Sequence, residues 1–471
     1  MGGAKDKPQP SSPSPVLDSP TVPDLTLLPM DEMLARLDRV LTASPADATE
    51  IAWLEVRRGR EETGRQQRPA DGDTPSGYRE RTLLVRVREA GRVGFHRTGF
   101  ATVSELENAV RMALAQARLA PPTRAMPPGT AAGTSRPTDR GPELWDRELA
   151  GLDEGRAREL VESWAGRSGA ARLDWTVARV VVTGSGGRRR SAEVTTAALA
   201  VRQGRGPTAG RAVVASRSLA GLVPEAVAEE ARRRAAPEGL ADLPAAPPPL
   251  LLAPQAAAAL VDLLNRLSLS SAAFHTGDSF LCERLGEPVF HPLVSLRDDA
   301  TDPRGLPFPF DLAGEAKRPV NLIEQGVVRT PAVDPPLALR LGCAATPHAV
   351  ALDESLATNL FLRPGAADEG ELLGQAGAEG LWVGSLQPLQ GFDPRRLAFR
   401  AVARGVRRID NGALGRALPD LLWEASLAEV FARVLAVGRE TVVVAGDEPL
   451  LGGISAPALV IGPTGRLAVA P

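Results

Sequence analysis

The chain has 471 residues, 43% of them apolar and 24% charged, a globular composition with room for two or three domains. Its formal net charge of −2 gives no overall field that would recruit nucleic acid or an anionic membrane. Two cysteines, Cys282 and Cys343, exclude a disulfide framework and fit a reducing compartment, and no run approaches the roughly 18 apolar residues of a membrane span.

In chain order, residues 1–28 are rich in Pro and Ser, have little to bury, and read as a disordered tail. The opening MGGAKDKPQPSSPSP lacks the apolar core of a secretory signal, so the expected location is the cytoplasm. Met33, Leu34, Leu37, Val40 and Leu41 recur at helical spacing, and EIAWLEV (Glu50 to Val56) reads as a strand. The polar stretch 58–81, which carries Gly and Pro, is expected to be a mobile loop. Leu83, Val85 and Val87 then alternate with Leu84, Arg86 and Arg88 as a strand. A turn near Ala90 and Gly91 leads to a second strand through Val93 and Phe95. Ser104 and Glu107 have capping-box spacing for a helix carrying Leu106, Val110, Leu114 and Ala117.

A linker or long loop is expected at 120–142. Beyond it come a helix around Arg156–Trp164, a hairpin whose strands flank GSGGRRR (Gly184 to Arg190), and a helix from about Leu222 to Ala235. After the Pro-rich stretch 236–249, PLLLAP reads as a short strand and Gln255 to about Leu269 as a helix. Helical periodicity then fades into short apolar runs between Gly and Pro turns, with one more helix near Leu427–Leu435. The fold class is therefore α+β. An N-terminal α/β-type domain with hairpins and helices spans 29–240, and a β-rich, antiparallel C-terminal domain spans 250–471. No internal repeat of fixed period is visible.

Few motifs carry chemistry. His275, Cys282, His291, Cys343 and His348 fall in one segment, but their spacing matches no C-x-x-C or H-x-x-x-H pattern that would place ligands on one turn. Polar surface or packed core explains them better. There is no G-x-S-x-G elbow, and GSGGRRR between two strands reads as a hairpin turn rather than a phosphate loop. The triplets Arg188–Arg190 and Arg232–Arg234 lack interleaved aromatics and read as solvated faces rather than phosphate contacts. Asp298 and Asp299, with Asp302 close by, could bind a hard cation or shape a turn.

Taken in order, several strings resemble the TldD/PmbA family. LLVRVREAGRVGFHRTGF and WDRELAGLD match its N-terminal patterns. LLLAPQAAAALVDLL, SFLCERLGEPVFHPLVSLRDD, RPVNLIEQGVV, ATNLFLRPG and FRAVARGVRRIDNG match its C-terminal half. The resemblance covers roughly residues 30 to 470. In that family one subunit type, TldD, carries an H-E-x-x-x-H helix and a late cysteine that bind a catalytic zinc. The other, TldE or PmbA, lacks them and pairs with TldD.

An ungapped comparison puts Asp262, Leu263 and Leu267 at the positions of the His, Glu and His, and LLGGISAPALVIG has no cysteine. The resemblance thus implies a zinc-less, divergent TldE/PmbA-like chain with no catalytic residue, metal or cofactor of its own. It would act with a TldD-type protease on unfolded or precursor peptides. Residues implied for a peptide channel or family motif are Asp298, Asp299, Arg318, Thr346, Asn359 and Gly365. The family's f-D-x-E-G and T-G-n segments appear altered here, as FDLAGEA (Phe310 to Ala316) and ATPHAV, where Pro347 follows Thr346. Those changes keep open an autonomous peptide-binding or scaffold homodimer. An independent metalloenzyme using His275, Cys282 or His291 is the third reading. The charge pattern gives no support for direct DNA binding, although the family is associated with DNA gyrase function.

Overall fold

The computed structural model describes residues 27–63, 77–99, 102–123, 144–166, 169–446 and 450–470. The expected tail before residue 27, most of the expected linker at 120–142 and the centre of the 58–81 stretch lie outside them. The N-terminal part opens with helix α1 (Met30–Ala43), strands β1 (Ala48–Glu62), β2 (Gly77–Glu89) and β3 (Arg92–Gly99), and helix α2 (Val103–Leu119). Two short helices, α3 (Arg147–Ala150) and α4 (Glu154–Ala165), precede β4 (Gly169–Gly184), β5 (Arg189–Gln203), β6 (Gly210–Ser216) and α5 (Pro224–Arg233).

Two local expectations change. The ends of the 58–81 stretch are strand, because β1 and β2 stay paired out to Gly59 and Gly77. The cap of α2 is Thr102 with Glu105 rather than Ser104 with Glu107. Two S/T-x-x-E signatures overlap here, and the first one closes the box, worth about 1 kcal/mol. Between β2 and β3, Ala90 and Gly91 both have positive φ, the geometry of a two-residue hairpin turn.

The six strands form one antiparallel sheet in the order β3-β2-β1-β4-β5-β6. The succession helix, three strands, helix occurs twice, and the two copies meet at the antiparallel β1–β4 pair. This duplication leaves no repeat in the sequence. It is visible in two glycines. A Cβ on Gly94 of β3 would sit 2.0 Å from the Ala113 carbonyl oxygen of α2. One on Gly210 of β6 would sit 1.9 Å from that of Ala231 in α5. Each glycine lets a helix backbone lie directly on an outer strand.

Strand alternation sends odd-numbered residues to the helices. Ile51, Trp53, Leu83, Val85 and Val181 pack with α1 and α2, and Leu173, Trp175, Leu199 and Val201 with α4 and α5. Even-numbered Ala52, Val56, Leu84, Ala178, Val180 and Val194 pack instead on Phe308, Phe310, Leu352, Leu450 and Leu451 of the C-terminal half. Both faces are buried, which is why β4 reads as a nearly continuous apolar run.

The C-terminal half contains β7 (Leu250–Leu252), α6 (Pro254–Leu264), α7 (Ser271–Thr276), β8 (Leu296–Asp298), β9 (Val320–Glu324), β10 (Val327–Val328), α8 (Pro335–Leu341) and β11 (Leu360–Leu362). Next are α9 (Glu369–Ala376), β12 (Leu381–Val383), β13 (Ser385–Pro388), β14 (Ala398–Arg404), β15 (Arg407–Asp410) and β16 (Ala413–Ala417). The last elements are β17 (Leu421–Ser426), α10 (Leu427–Ala432), β18 (Val434–Ala445), β19 (Gly453–Ile461) and β20 (Arg466–Val469).

They build a ten-stranded sheet, β10-β9-β8-β11-β19-β7-β12-β15-β16 with β18 on β19, and a four-stranded sheet, β13-β14-β17-β20. The larger sheet is mixed, since β11 with β19 and β12 with β7 run parallel. Helices α7, α8 and α9 also interrupt a region expected to hold one helix beyond α6. At 6–8 residues they are too short to show helical periodicity. Helix α6 packs Ala256, Leu260, Val261 and Leu264 into the central core and ends in a π turn, Asn265–Leu269. Among the described residues no helix is long and apolar enough to cross a membrane.

Candidate functional site

Where the even face of the six-stranded sheet fails to touch the C-terminal half, a groove remains. One part, about 240 Å³, lies between Val56, Arg58, Leu84 and Arg97 on the sheet and Asp262, Arg266 and Leu356 opposite. A second part, about 210 Å³, lies between Glu50, Arg86 and Arg188 and the segments bearing Asp311, Arg318 and Thr346. Ala351 and Glu354 line both, so the two parts join. The floor is apolar and the rims carry charges of both signs.

Helix α6 forms one wall. Asp262 and Arg266, four residues apart, face the groove as an ion pair at 2.9 Å. Leu263 is buried in the central core and Leu267 packs against it. Of the three positions matched to the zinc motif, only Asp262 therefore reaches the groove. Its carboxylate is held by a guanidinium whose charge opposes a metal cation. No histidine or cysteine is among the described residues lining either part of the groove. This donor set does not fit a catalytic zinc, which takes nitrogen, sulfur and carboxylate ligands around an open position. Arg266 was not singled out from sequence, although D-x-x-x-R on a helix is a readable i,i+4 ion-pair signature.

The histidines and cysteines grouped by sequence stay apart. His275 Nε2 lies 2.7 Å from Asp334 Oδ2 at the start of α8. His291 Nδ1 accepts from the Leu293 amide. Cys282 is half-buried, and its thiol is pushed up by burial. Cys343 is exposed. Among the described residues no three His, Cys, Asp or Glu side chains converge to hold a metal.

His348 belongs instead to a buried network beside the groove. Its Nε2 is 3.0 Å from Asp298 Oδ2 and its Nδ1 is 2.7 Å from Thr346 Oγ1. Asp298 Oδ1 accepts the amides of Thr358 and Asn359, and Lys317 Nζ stands 3.7 Å from Oδ2. Burial alone would raise the Asp298 carboxyl. The Lys317 and His348 charges, the imidazole hydrogen bond and the Asn359 amide outweigh it and hold the carboxyl below the usual range. Asn359 Oδ1 accepts from Leu306 and its Nδ2 donates to the Asp299 carbonyl. Asp299 and Asp302 pair with Arg297, and Asp302 also with Arg304.

Of the residues implied for a channel, Asp298, Asp299 and Asn359 thus lie buried behind the groove wall, while Arg318 and Thr346 line it. Gly365 lies elsewhere, where a Cβ would come 2.3 Å from the Val437 carbonyl oxygen. In the altered FDLAGEA segment, Asp311 accepts the amides of Ala313, Glu315 and Ala349, and burial pushes its carboxyl up.

Five of the six arginines in the triplets are committed within the molecule. Arg188 reaches Glu315 and the Ala313 carbonyl across the groove, and Arg189 pairs with Asp38. Arg232, Arg233 and Arg234 pair with Glu229 and Glu230, and the last two also with Glu369. Arg188 and Arg234 are mostly buried, so the expected solvated faces are in part contacts between the two halves.

A family model described as the PmbA/TldA metallopeptidase C-terminal domain matches residues 247–465. No curated protein matches the sequence. Solved structures do match. TldE from Thermococcus kodakarensis is 17% identical, with a TM-score of 0.73 over 92% of this chain and 100% of that one. A Thermotoga maritima protein described as a candidate modulator of a DNA gyrase is 19% identical, with a TM-score of 0.72 over 93% and 100%. A Bacteroides thetaiotaomicron protein with a similar description is 17% identical, with a TM-score of 0.72 over 93% and 99%. At these identities the likeness is one of fold.

Proposed function

The chain is a divergent member of the TldD/PmbA family, and from that premise we propose that it is a zinc-less subunit of the TldE/PmbA type. In this reading it has no peptidase activity of its own and pairs with a TldD-type zinc protease. The groove under the six-stranded sheet receives an extended segment of an unfolded or precursor peptide. The observation that carries the proposal is the Asp262–Arg266 ion pair on the groove wall, with Leu263 and Leu267 turned to the core. A carboxylate held by a neighbouring guanidinium, with no histidine or cysteine beside it, supplies no metal from which to polarise a scissile carbonyl or activate water.

The apolar floor suits the side chains of an unfolded segment, and the mixed charges of the rims suit its peptide groups. The test is purification alone and with a TldD-type protein bearing H-E-x-x-x-H. Alone, the chain should hold no stoichiometric zinc and show no chelator-sensitive peptidase activity. With the partner it should co-elute. Zinc at one per chain together with chelator-sensitive activity would overturn the proposal, and a stable homodimer that ignores the partner would favour an autonomous binding protein.

A further inference from the structure

We propose that Arg318 binds a carboxylate of the peptide held in the groove, so that the chain prefers peptides acidic at the end that reaches it. This rests on the peptide-groove reading above.

Charge accounting in the second part of the groove carries the inference. Lys317 and Arg318 are adjacent, and the chain turns them opposite ways. Lys317 is buried, with its ammonium toward Asp298 and Thr358 Oγ1. Arg318 is exposed and lines the groove. The other two arginines there are already engaged, Arg86 with Glu50 and Arg188 with Glu315. Of the remaining carboxylates, Asp334 faces His275 and Asp311 is wrapped by three backbone amides, while Glu354, exposed at the junction with the first part, pairs with no cation among the described residues. Arg318 itself makes one long contact, from Nη2 to the Ala345 carbonyl at 3.5 Å, and pairs with no carboxylate among the described residues.

A guanidinium that lines a cleft and pairs with none of its acids can receive a ligand's carboxylate, because its planar donors match two carboxylate oxygens at once. The carboxylate can come from the peptide's C-terminus or from an Asp or Glu side chain.

The experiment uses the full chain and three fluorescein-labelled ten-residue peptides of alanine, leucine and serine. One ends in a free carboxylate, one in an amide, and one in an amide after a terminal glutamate. By anisotropy, the wild type should bind the first and third about tenfold more tightly than the second, less so at high salt. Preference for the first alone would identify the main-chain terminus as the source. Arg318→Gln should abolish the preference by weakening the first and third peptides to the level of the second. Arg396→Gln, at a distant exposed arginine, should keep the preference. Equal binding of all three by the wild type, or a preference that survives Arg318→Gln, overturns the inference while the groove reading stands. Failure of every peptide to bind overturns both.

Discussion

His348 Nε2 lies 3.0 Å from Asp298 Oδ2, and neither side chain reaches solvent. Through this contact β8 holds the 346–348 segment, whose Thr346 lines the groove. Asp298→Asn would take from the buried Lys317 its nearest counter-charge, at a cost of about 3 kcal/mol at neutral pH. Chemical denaturation measures it.

The same carboxylate sets an acid limb. Because its folded pKa lies below the unfolded value, the unfolded chain takes up the proton first as pH falls. Its contribution is complete above about pH 4 and is lost below it. Wild-type stability should therefore fall more steeply below pH 4 than that of Asp298→Asn, and parallel curves would refute this assignment.

Arg217, at the end of β6, is fully buried and donates to the carbonyls of Leu306, Pro307 and Leu450 and to Thr196 Oγ1. It ties the six-stranded sheet to the C-terminal half. Burial lowers its pKa to about 9, so it is still a cation at neutral pH. Arg217→Met should strand several buried acceptors and cost about 3 kcal/mol or more. Limited proteolysis should then cut between the halves sooner than in the wild type.

Gly94→Ala and Gly210→Ala should each destabilise by about 2–3 kcal/mol. The new methyl would overlap the backbone of α2 or α5, and a backbone cannot swing aside as a side chain can. Thermal melts of the two variants should shift alike, reflecting the shared construction of the two units.

Arg266→Ala removes a half-exposed ion pair and should change stability by no more than about 1 kcal/mol. If the groove receives peptide, the same variant should nonetheless alter peptide binding. A large loss of stability would make the pair structural instead.

Much was legible in the residues themselves. Period-two alternation marked β2 and its hairpin, period 3.6 marked α1, α2 and α6, and the α+β class followed from their succession. Asp262, Leu263 and Leu267 could be singled out because a resemblance supplied a frame for helix α6. Tertiary structure decided the rest. Asp262 on α6 and Leu267 in the π turn that continues it point to different sides by helix geometry, but which side meets a groove and which the core depends on what packs against each. The buried fate of Asp298 and the groove-facing placement of Arg318 depend on contacts up to 61 residues away in the chain. The duplicated helix–strand unit is hidden for the same reason. Side-chain periodicity is local and survives in sequence, whereas strand pairing and burial are set by distant contacts that many sequences can satisfy.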